Sequence, residues 1–565
     1  MKPPVAGASP PPPRPAKRDS PRQPAGEADP LHKPGARMKA QKSAATRLAD
    51  GREVELKFLV TEAALKTVQQ SALFGSPTRR TAQRLRSVYF DTAQADLWRH
   101  RTFLRVRSQR GGRLLALKAD GDDPTNPFLR HEIEVPSPSA EANPALLGEA
   151  VAAEIERVTE GRPLLPRFTT DIRRTLHRVT AGGSEIELAF DRGSITAGDA
   201  RAPVREIELE LKSGDAADLF ALGLALAEVA PVRLCVMSKA ARGMLLSTGG
   251  GAAEMRADSP ISADHSVDEI IGATIGACIR QFISNWPAFE TSTGPEPVHQ
   301  MRVSMRRLRA ALALFQREFS CATFGVLRGD AKRIASAMGE ARNWDVFAEL
   351  VRSGPAASFH GERGLETVLA ACEAHRAAGY DAVDALLKQV GTTQFVLSAL
   401  AFVARRGWRN TVPGADLPRL SSPAAGFAAL SVDRLHHRLR KRGRHILEMP
   451  AGERHELRVA LKRLRYATDF FGNLFPNASA VRAYARAAAK LQDVLGVFND
   501  MVMVSELVQR LQLGGDLHAV RAAGLVIGWY GRAGQADNRE LRDAWDGFRK
   551  AKPFWREALR EAPAR

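Results

Sequence analysis

The spacing of apolar and polar positions divides this chain in two. Between about residue 50 and residue 245 the positions alternate with a period of two, which predicts strands; beyond about residue 266 the period is that of helices. In Arg52-Glu-Val-Glu-Leu-Lys-Phe58, read as a strand, Glu53, Glu55 and Lys57 share one face and Val54, Leu56 and Phe58 the other. The same parity returns repeatedly. Arg105 and Arg107 flank Val106, and Lys118 ends an apolar run. Glu132 and Glu134 flank Ile133, Glu185 and Glu187 flank Ile186, and Glu206, Glu208 and Glu210 alternate with Ile207, Leu209 and Leu211. Gly, Pro, Asp or Ser bounds each segment, as expected of short strands joined by turns.

A solvated sheet face is the ordinary reading of one such strand, but such a face mixes charges with Ser, Thr and Gln. Here, Lys57 apart, acidic strands and basic strands are distinct. Closing the strands into an antiparallel barrel would gather the charged faces in one lumen and turn the apolar faces outward onto helices. Burying those charges is costly unless a cation or polyanion joins them. Carboxylates suit a divalent cation and basic side chains suit phosphate oxygens.

The segment from about 50 to 245 resembles the CYTH domain, the triphosphate tunnel fold. The resemblance is carried by Glu53-x-Glu55-x-Lys57, Tyr89-Phe-Asp-Thr92, Arg105-x-Arg107, Lys118, Arg173, Asp191, Glu206-x-Glu208-x-Glu210 and Ser238-Lys-Ala240. It implies an α+β domain: an eight-stranded antiparallel tunnel with flanking helices that hydrolyses inorganic triphosphate with Mg²⁺ or Mn²⁺. Glu53, Glu55, Glu132, Glu134, Glu206 and Glu208 would then bind metal. Lys57, Arg105, Arg107, Lys118, Arg173 and Lys239 would hold the triphosphate. Lys57 could instead be a water-activating base, although its flanking glutamates oppose the required fall in pKa.

Composition adds partners and boundaries. A net charge of +19 predicts acidic partners. Aromatics are only 6% and are not interleaved with basic residues, which argues against a single-strand nucleic-acid surface. The scattered Cys235, Cys278, Cys321 and Cys372 predict buried free thiols in a reducing compartment. With no long apolar run, the expectation is a cytoplasmic protein away from membranes. Residues 1–47 are Pro-rich and basic and are expected to be disordered, with Met38 an alternative start. The tunnel domain is expected over 48–246, a flexible linker over 247–265, a helical domain over 266–555 and a tail over 556–565.

The helical half contains a repeat. His299-Gln-Met-Arg-Val-Ser-Met-Arg-Arg-Leu-Arg309 matches His455-Glu-Leu-Arg-Val-Ala-Leu-Lys-Arg-Leu-Arg465, predicting an all-α domain of duplicated bundles. At helical spacing His299, Arg302, Arg306 and Arg309 form one basic stripe, repeated by His455, Arg458, Lys462 and Arg465. Few acids lie nearby, so a polyanion is the expected partner; structural caps or metal ligation are the other readings of the histidines. This half resembles the CHAD domain through both His-x-x-Arg-Val stretches and Arg463-Leu-Arg-Tyr466. The resemblance implies that the two stripes bind inorganic polyphosphate.

The combined expectation is a metal-dependent inorganic triphosphatase whose helical half retains polyphosphate. On that division of labour, removing residues 266–565 should spare turnover. A non-catalytic polyphosphate-binding protein, and an adenylate cyclase or thiamine triphosphatase on the same tunnel, are the alternatives.

Overall fold

The computed structural model describes residues 51–71, 73, 81–121, 123, 125–534 and 538–561; the tail expected over 1–47 lies outside them. In chain order the first half comprises β1 (Arg52–Val60), α1 (Glu62–Gln70), β2 (Thr81–Asp91), β3 (Thr102–Gln109), β4 (Gly112–Asp120), β5 (Leu129–Ser137), α2 (Glu149–Thr159), β6 (Leu165–Ala181), β7 (Ser184–Ala197), β8 (Ala200–Ser213), α3 (Ala216–Val229), β9 (Val232–Leu234) and α4 (Lys239–Thr248). The strands run in the order β5-β4-β3-β2-β6-β7-β8-β1, and a β1–β5 pairing closes them into an eight-stranded antiparallel barrel with β9 attached to β1.

Turn chemistry sets the register. Gly182 and Gly183 both have positive φ (61° and 91°) in the two-residue β6–β7 turn, which only glycine adopts readily. The outward faces are apolar. Leu56, Phe58, Leu188, Phe190, Ile207 and Leu209 pack in one core with α3, while Leu104, Val106, Leu115 and Leu117 pack with α2. One end of the barrel is plugged by α4, whose Ala240 and Met244 lie among Phe168, Ile172, Ile195 and Val204. A Cβ on Gly243 would sit 2.1 Å from the Phe168 ring, so glycine is what lets this helix enter.

The second half comprises α5 (Val267–Ser284), α6 (Glu296–Glu318), α7 (Ala322–Ala337), α8 (Gly339–Val351), α9 (Arg363–Lys388), α10 (Val390–Ala404), α11 (Ala424–Arg442), α12 (Ala451–Phe471), α13 (Ala478–Arg510), α14 (Leu517–Gly534) and α15 (Asn538–Lys550). A capping box of Ser266 and Glu269 starts α5. As their periodicity requires, α6 buries Met301, Met305, Leu308, Leu312 and Phe315, and α12 buries Leu457, Leu461 and Leu464. The duplicated bundles share their cores: Trp344 and Phe347 of α8 cluster with Val504 and Leu507 of α13 and Val526 of α14. Residues expected as a C-terminal tail include a short helix, Arg556–Glu561. Among the described residues no single helix is long and apolar enough to cross a membrane.

Barrel and helical half belong to one compact unit. Helix α3 packs against α10, the Leu234 amide donates to Thr393 Oγ1 at 3.1 Å, and Arg233 pairs with Glu290 at 2.6 Å. The 247–265 connector has no helix or strand over most of its length, yet the flexible linker expected there is pinned. Met255 exchanges two hydrogen bonds with the Asn285 side chain, the Ser259 hydroxyl donates to the Phe470 carbonyl, and Ile261 is buried.

Candidate active site in the barrel and a basic cluster in the helices

The lumen is a cavity of about 250 Å³, and its lining includes Glu53, Glu55, Lys57, Arg105, Arg107, Lys118, Glu132, Glu134, Glu208 and Lys239. Acid and base therefore meet across strands. Lys118 Nζ lies 2.7 Å from Glu53 and 2.8 Å from Glu132; Arg105 reaches Glu132 at 2.9 Å; Arg107 lies 3.7 Å from Glu134. Lys57 contacts Glu55 closely and lies 3.7 Å from Glu208. Glu206 does not line the cavity. It is fully buried behind it, against Lys239 and Arg242 of α4.

Arg173 is the one barrel residue the sequence misplaces. It faces outward, and its neighbour Arg174 enters the lumen, donating to Asp191 at 2.8 and 2.6 Å and contacting Glu208. The inward column of β6 is Thr170, Ile172, Arg174 and Leu176, mostly uncharged, which hides its parity. The signal was nonetheless present: counting eight residues back from Gly182 and eight forward from Gly183 pairs Arg174 with Asp191. Tyr89 also faces inward, with its hydroxyl 3.4 Å from Arg105, whereas Asp91 is structural and accepts backbone N–H bonds from Thr92, Leu97 and Trp98.

Burial and pairing spread the ionisation of these groups. Burial and the nearby Glu208 push the Glu55 carboxyl up to about 7, despite Lys57. Burial also opposes ionisation of Glu208 and Glu132, but Lys239 and Arg174 hold Glu208 well below the usual carboxylate range, and Lys118 and Arg105 hold Glu132 at about 2. Burial and Arg105 lower Arg107 to about 10. Asp191, Glu206 and Glu208 offer oxygens within 4.8 Å of one another. Three such oxygens fit Mg²⁺ or Mn²⁺. Here the Lys239 ammonium touches all three, at 2.7 Å from both Asp191 and Glu208.

The helical half gathers a second cluster. Arg302 and Arg306 of α6 face Arg458 and Lys462 of α12, and burial and the Arg306 charge together lower Arg302, Arg458 and Lys462. Burial and these arginines lower Lys462 to about 7, and burial and Arg306 lower Arg302 to about 10. The Nε atoms of Arg302, Arg309 and Arg458 are buried without a hydrogen-bond partner. His299 adjoins this cluster near Arg342, and Arg309 lies near Arg463 and Arg328. His455 lies at the exposed start of α12, and Arg465 acts on Asp469 beside Arg307. Asp345 is occupied by Arg376 and Tyr380, and Asp500 is the acid nearest in effect to Arg458 and Lys462. On α11, His436 turns into an aromatic core against Tyr484 and does not extend the basic surface.

A closed eight-stranded tunnel lined by paired carboxylates and cations, joined to duplicated helices, defines a class. Residues 51–244 match the CYTH domain and residues 273–509 match the CHAD domain. This chain belongs to the proteins that carry a CYTH domain followed by a CHAD domain. Among relatives, an inorganic triphosphatase of Haemophilus influenzae is 34% identical over 166 residues, covering 29% of this chain and 46% of that protein. An uncharacterized protein of Mycobacterium tuberculosis is 27% identical over 327 residues, covering 54% of this chain and 60% of that one. The chain thus spans between about half and three fifths of these curated relatives. The crystal structure of the CHAD domain from the plant Ricinus communis is 29% identical and covers 54% of this chain and 99% of that one, with a TM-score of 0.47.

Proposed function

We propose that the barrel hydrolyses inorganic triphosphate to diphosphate and phosphate, and that the helical cluster binds inorganic polyphosphate. The observation that carries this reading is the enclosure of Lys57, Arg105, Arg107, Lys118, Arg174 and Lys239 with nine carboxylates lining one lumen and Glu206 behind it. A pure anion binder would weaken itself with those acids. Asp191, Glu206 and Glu208, with Glu53 and Glu55 alongside, would hold the cation. When bound, Mg²⁺ or Mn²⁺ supplies Lewis-acid neutralisation of phosphoryl oxygens. The arginines and Lys118 clamp the remaining oxygens and offset charge that spreads in the transition state. Enclosure excludes bulk water and strengthens each of these contacts.

Purified protein is expected to release phosphate from tripolyphosphate only with Mg²⁺ or Mn²⁺, and faster than from ATP or thiamine triphosphate. No release with either cation would overturn the enzymatic reading, and preference for ATP or thiamine triphosphate would redirect it.

The helical cluster carries a pH signature. Lys462 is lowered in the folded protein, so the unfolded chain binds its proton more tightly between about pH 7 and pH 10, and folding stability rises with pH across that window. A bound polyanion reverses the shift. Polyphosphate affinity is therefore expected to fall by up to about tenfold per pH unit above pH 7, with proton uptake on binding. Lys462→Gln should bind more weakly at pH 7 and lose this dependence; calorimetric titration at pH 7 and 9 is the check. His299, beside the same cluster, is lowered by burial and Arg342.

A further inference from the structure

The outer wall of the barrel carries a feature that neither the lumen nor the helical cluster uses. Arg84, Arg173, Arg192 and Arg205 stand directly opposite one another on β2, β6, β7 and β8. Adjacent strands lie about 4.8 Å apart, so the row spans about 14 Å. Arg86 and Arg201 extend it, and all six residues are exposed. Two acids serve the six: Asp171 takes Arg84 at 2.8 Å and lies 3.9 Å from Arg86, and Glu62 takes Arg192 at 2.6 Å and Arg205 at 3.2 Å. Arg173, at the centre, and Arg201 make no ion pair among the described residues.

Like charges directly opposite across a sheet destabilise it, and an ordinary solvated wall would vary these positions with Ser, Thr or Lys. Arginine in particular forks onto phosphate oxygens. The aromatic bordering the row, Phe190, is buried under α3 and offers no platform for stacking a base. The depression lined by Arg84, Arg173, Arg192 and Arg201 shares Gln83 and Arg174 with the lumen.

We propose that this arginine ladder is a docking track for long-chain inorganic polyphosphate on the outside of the barrel, separate from the lumen and from the helical cluster. The proposal deepens the phosphate-chain reading of the barrel, but binding at the track does not require turnover.

The test uses the full chain carrying Arg306→Ser and Arg458→Ser, which silences the helical cluster. Adding Arg173→Ser and Arg201→Ser removes the two arginines that make no ion pair among the described residues. Affinity for long-chain polyphosphate, measured by fluorescence polarisation, is expected to fall about tenfold. Turnover of tripolyphosphate should stay unchanged, and the melting temperature should hold or rise as the repulsion across the ladder is relieved. Undiminished polyphosphate affinity would overturn the proposal. So would a single-stranded oligonucleotide of matched charge that binds the ladder more tightly than polyphosphate does. If the parent protein shows no turnover yet loses polyphosphate with the ladder, the track stands and the hydrolytic reading alone fails.

Discussion

Glu208→Gln is expected to lower kcat/KM for tripolyphosphate at saturating Mg²⁺ by about a hundredfold or more. This side chain is the junction of the lumen. It meets Lys239 at 2.7 Å, Lys57 at 3.7 Å and Arg174, and it shares the three-carboxylate cluster with Asp191 and Glu206. Glutamine keeps the shape but removes the charge that gathers those cations and would complete a cation site. Breaking a buried ion pair costs about 3–5 kcal/mol, so the melting temperature should fall as well. The neighbouring cations hold Glu208 ionised far below neutrality, so its contribution to stability is present above the usual carboxylate range and is lost only in strong acid. The loss in the variant is therefore expected to be flat from about pH 5 to pH 8. Metal-free affinity for tripolyphosphate supplies the discriminating measurement. Loss of a carboxylate that repels phosphate should preserve or tighten it while turnover collapses. Undiminished turnover would remove Glu208 from the cation site.

Much of this site was legible because a strand face is a binary choice. Once Glu53, Glu55 and Lys57 are assigned inward, the same alternation places Arg105, Arg107, Lys118, Glu132, Glu134 and Glu208 inward, and the lumen gathers them all. Arg173 fails for the same reason that the others succeed: a slip of one residue exchanges faces. On β6 the inward neighbours Ile172 and Leu176 mimic an outward column. Alternation could not rank depth within the barrel either. Glu206 shares its face with Glu208 and Glu210 but ends behind the lumen, because α4 carries Lys239 and Arg242 into the plugged end. Asp191 joins the cation cluster through pairing across β7 and β8 with Glu206, a contact set by the turn between those strands. In the helices, each basic stripe was visible alone. Their convergence, which brings Arg302 and Arg306 against Arg458 and Lys462, depends on how α6 and α12 pack, and no local periodicity encodes that.

The boundary between the halves is where periodicity misleads most, and it yields the second large effect. A chain ending at residue 265 is expected to lose the folded barrel, although the change of period there suggests independent domains. Helix α3 buries Ala217, Leu219, Phe220, Leu222, Gly223, Leu226 and Ala227, too many directions for one sheet to cover, and α10 covers the remainder. A Cβ on Gly223 would lie 3.0 Å from Leu56, 3.2 Å from Phe58 and 3.3 Å from Leu397, which puts barrel wall, α3 and α10 in one packed layer. Exposing a buried Leu or Phe costs about 1.5–3 kcal/mol, and a domain has about 5–15 kcal/mol in total. A few such side chains exhaust the barrel's margin. Calorimetry of the full chain should show barrel and helices melting in one transition, and Leu397→Ala should lower that transition by about 2–5 kcal/mol. A truncated barrel that stays soluble and turns over tripolyphosphate at the full-length rate would show that this contact is dispensable. Two separate transitions in the intact chain would show the same.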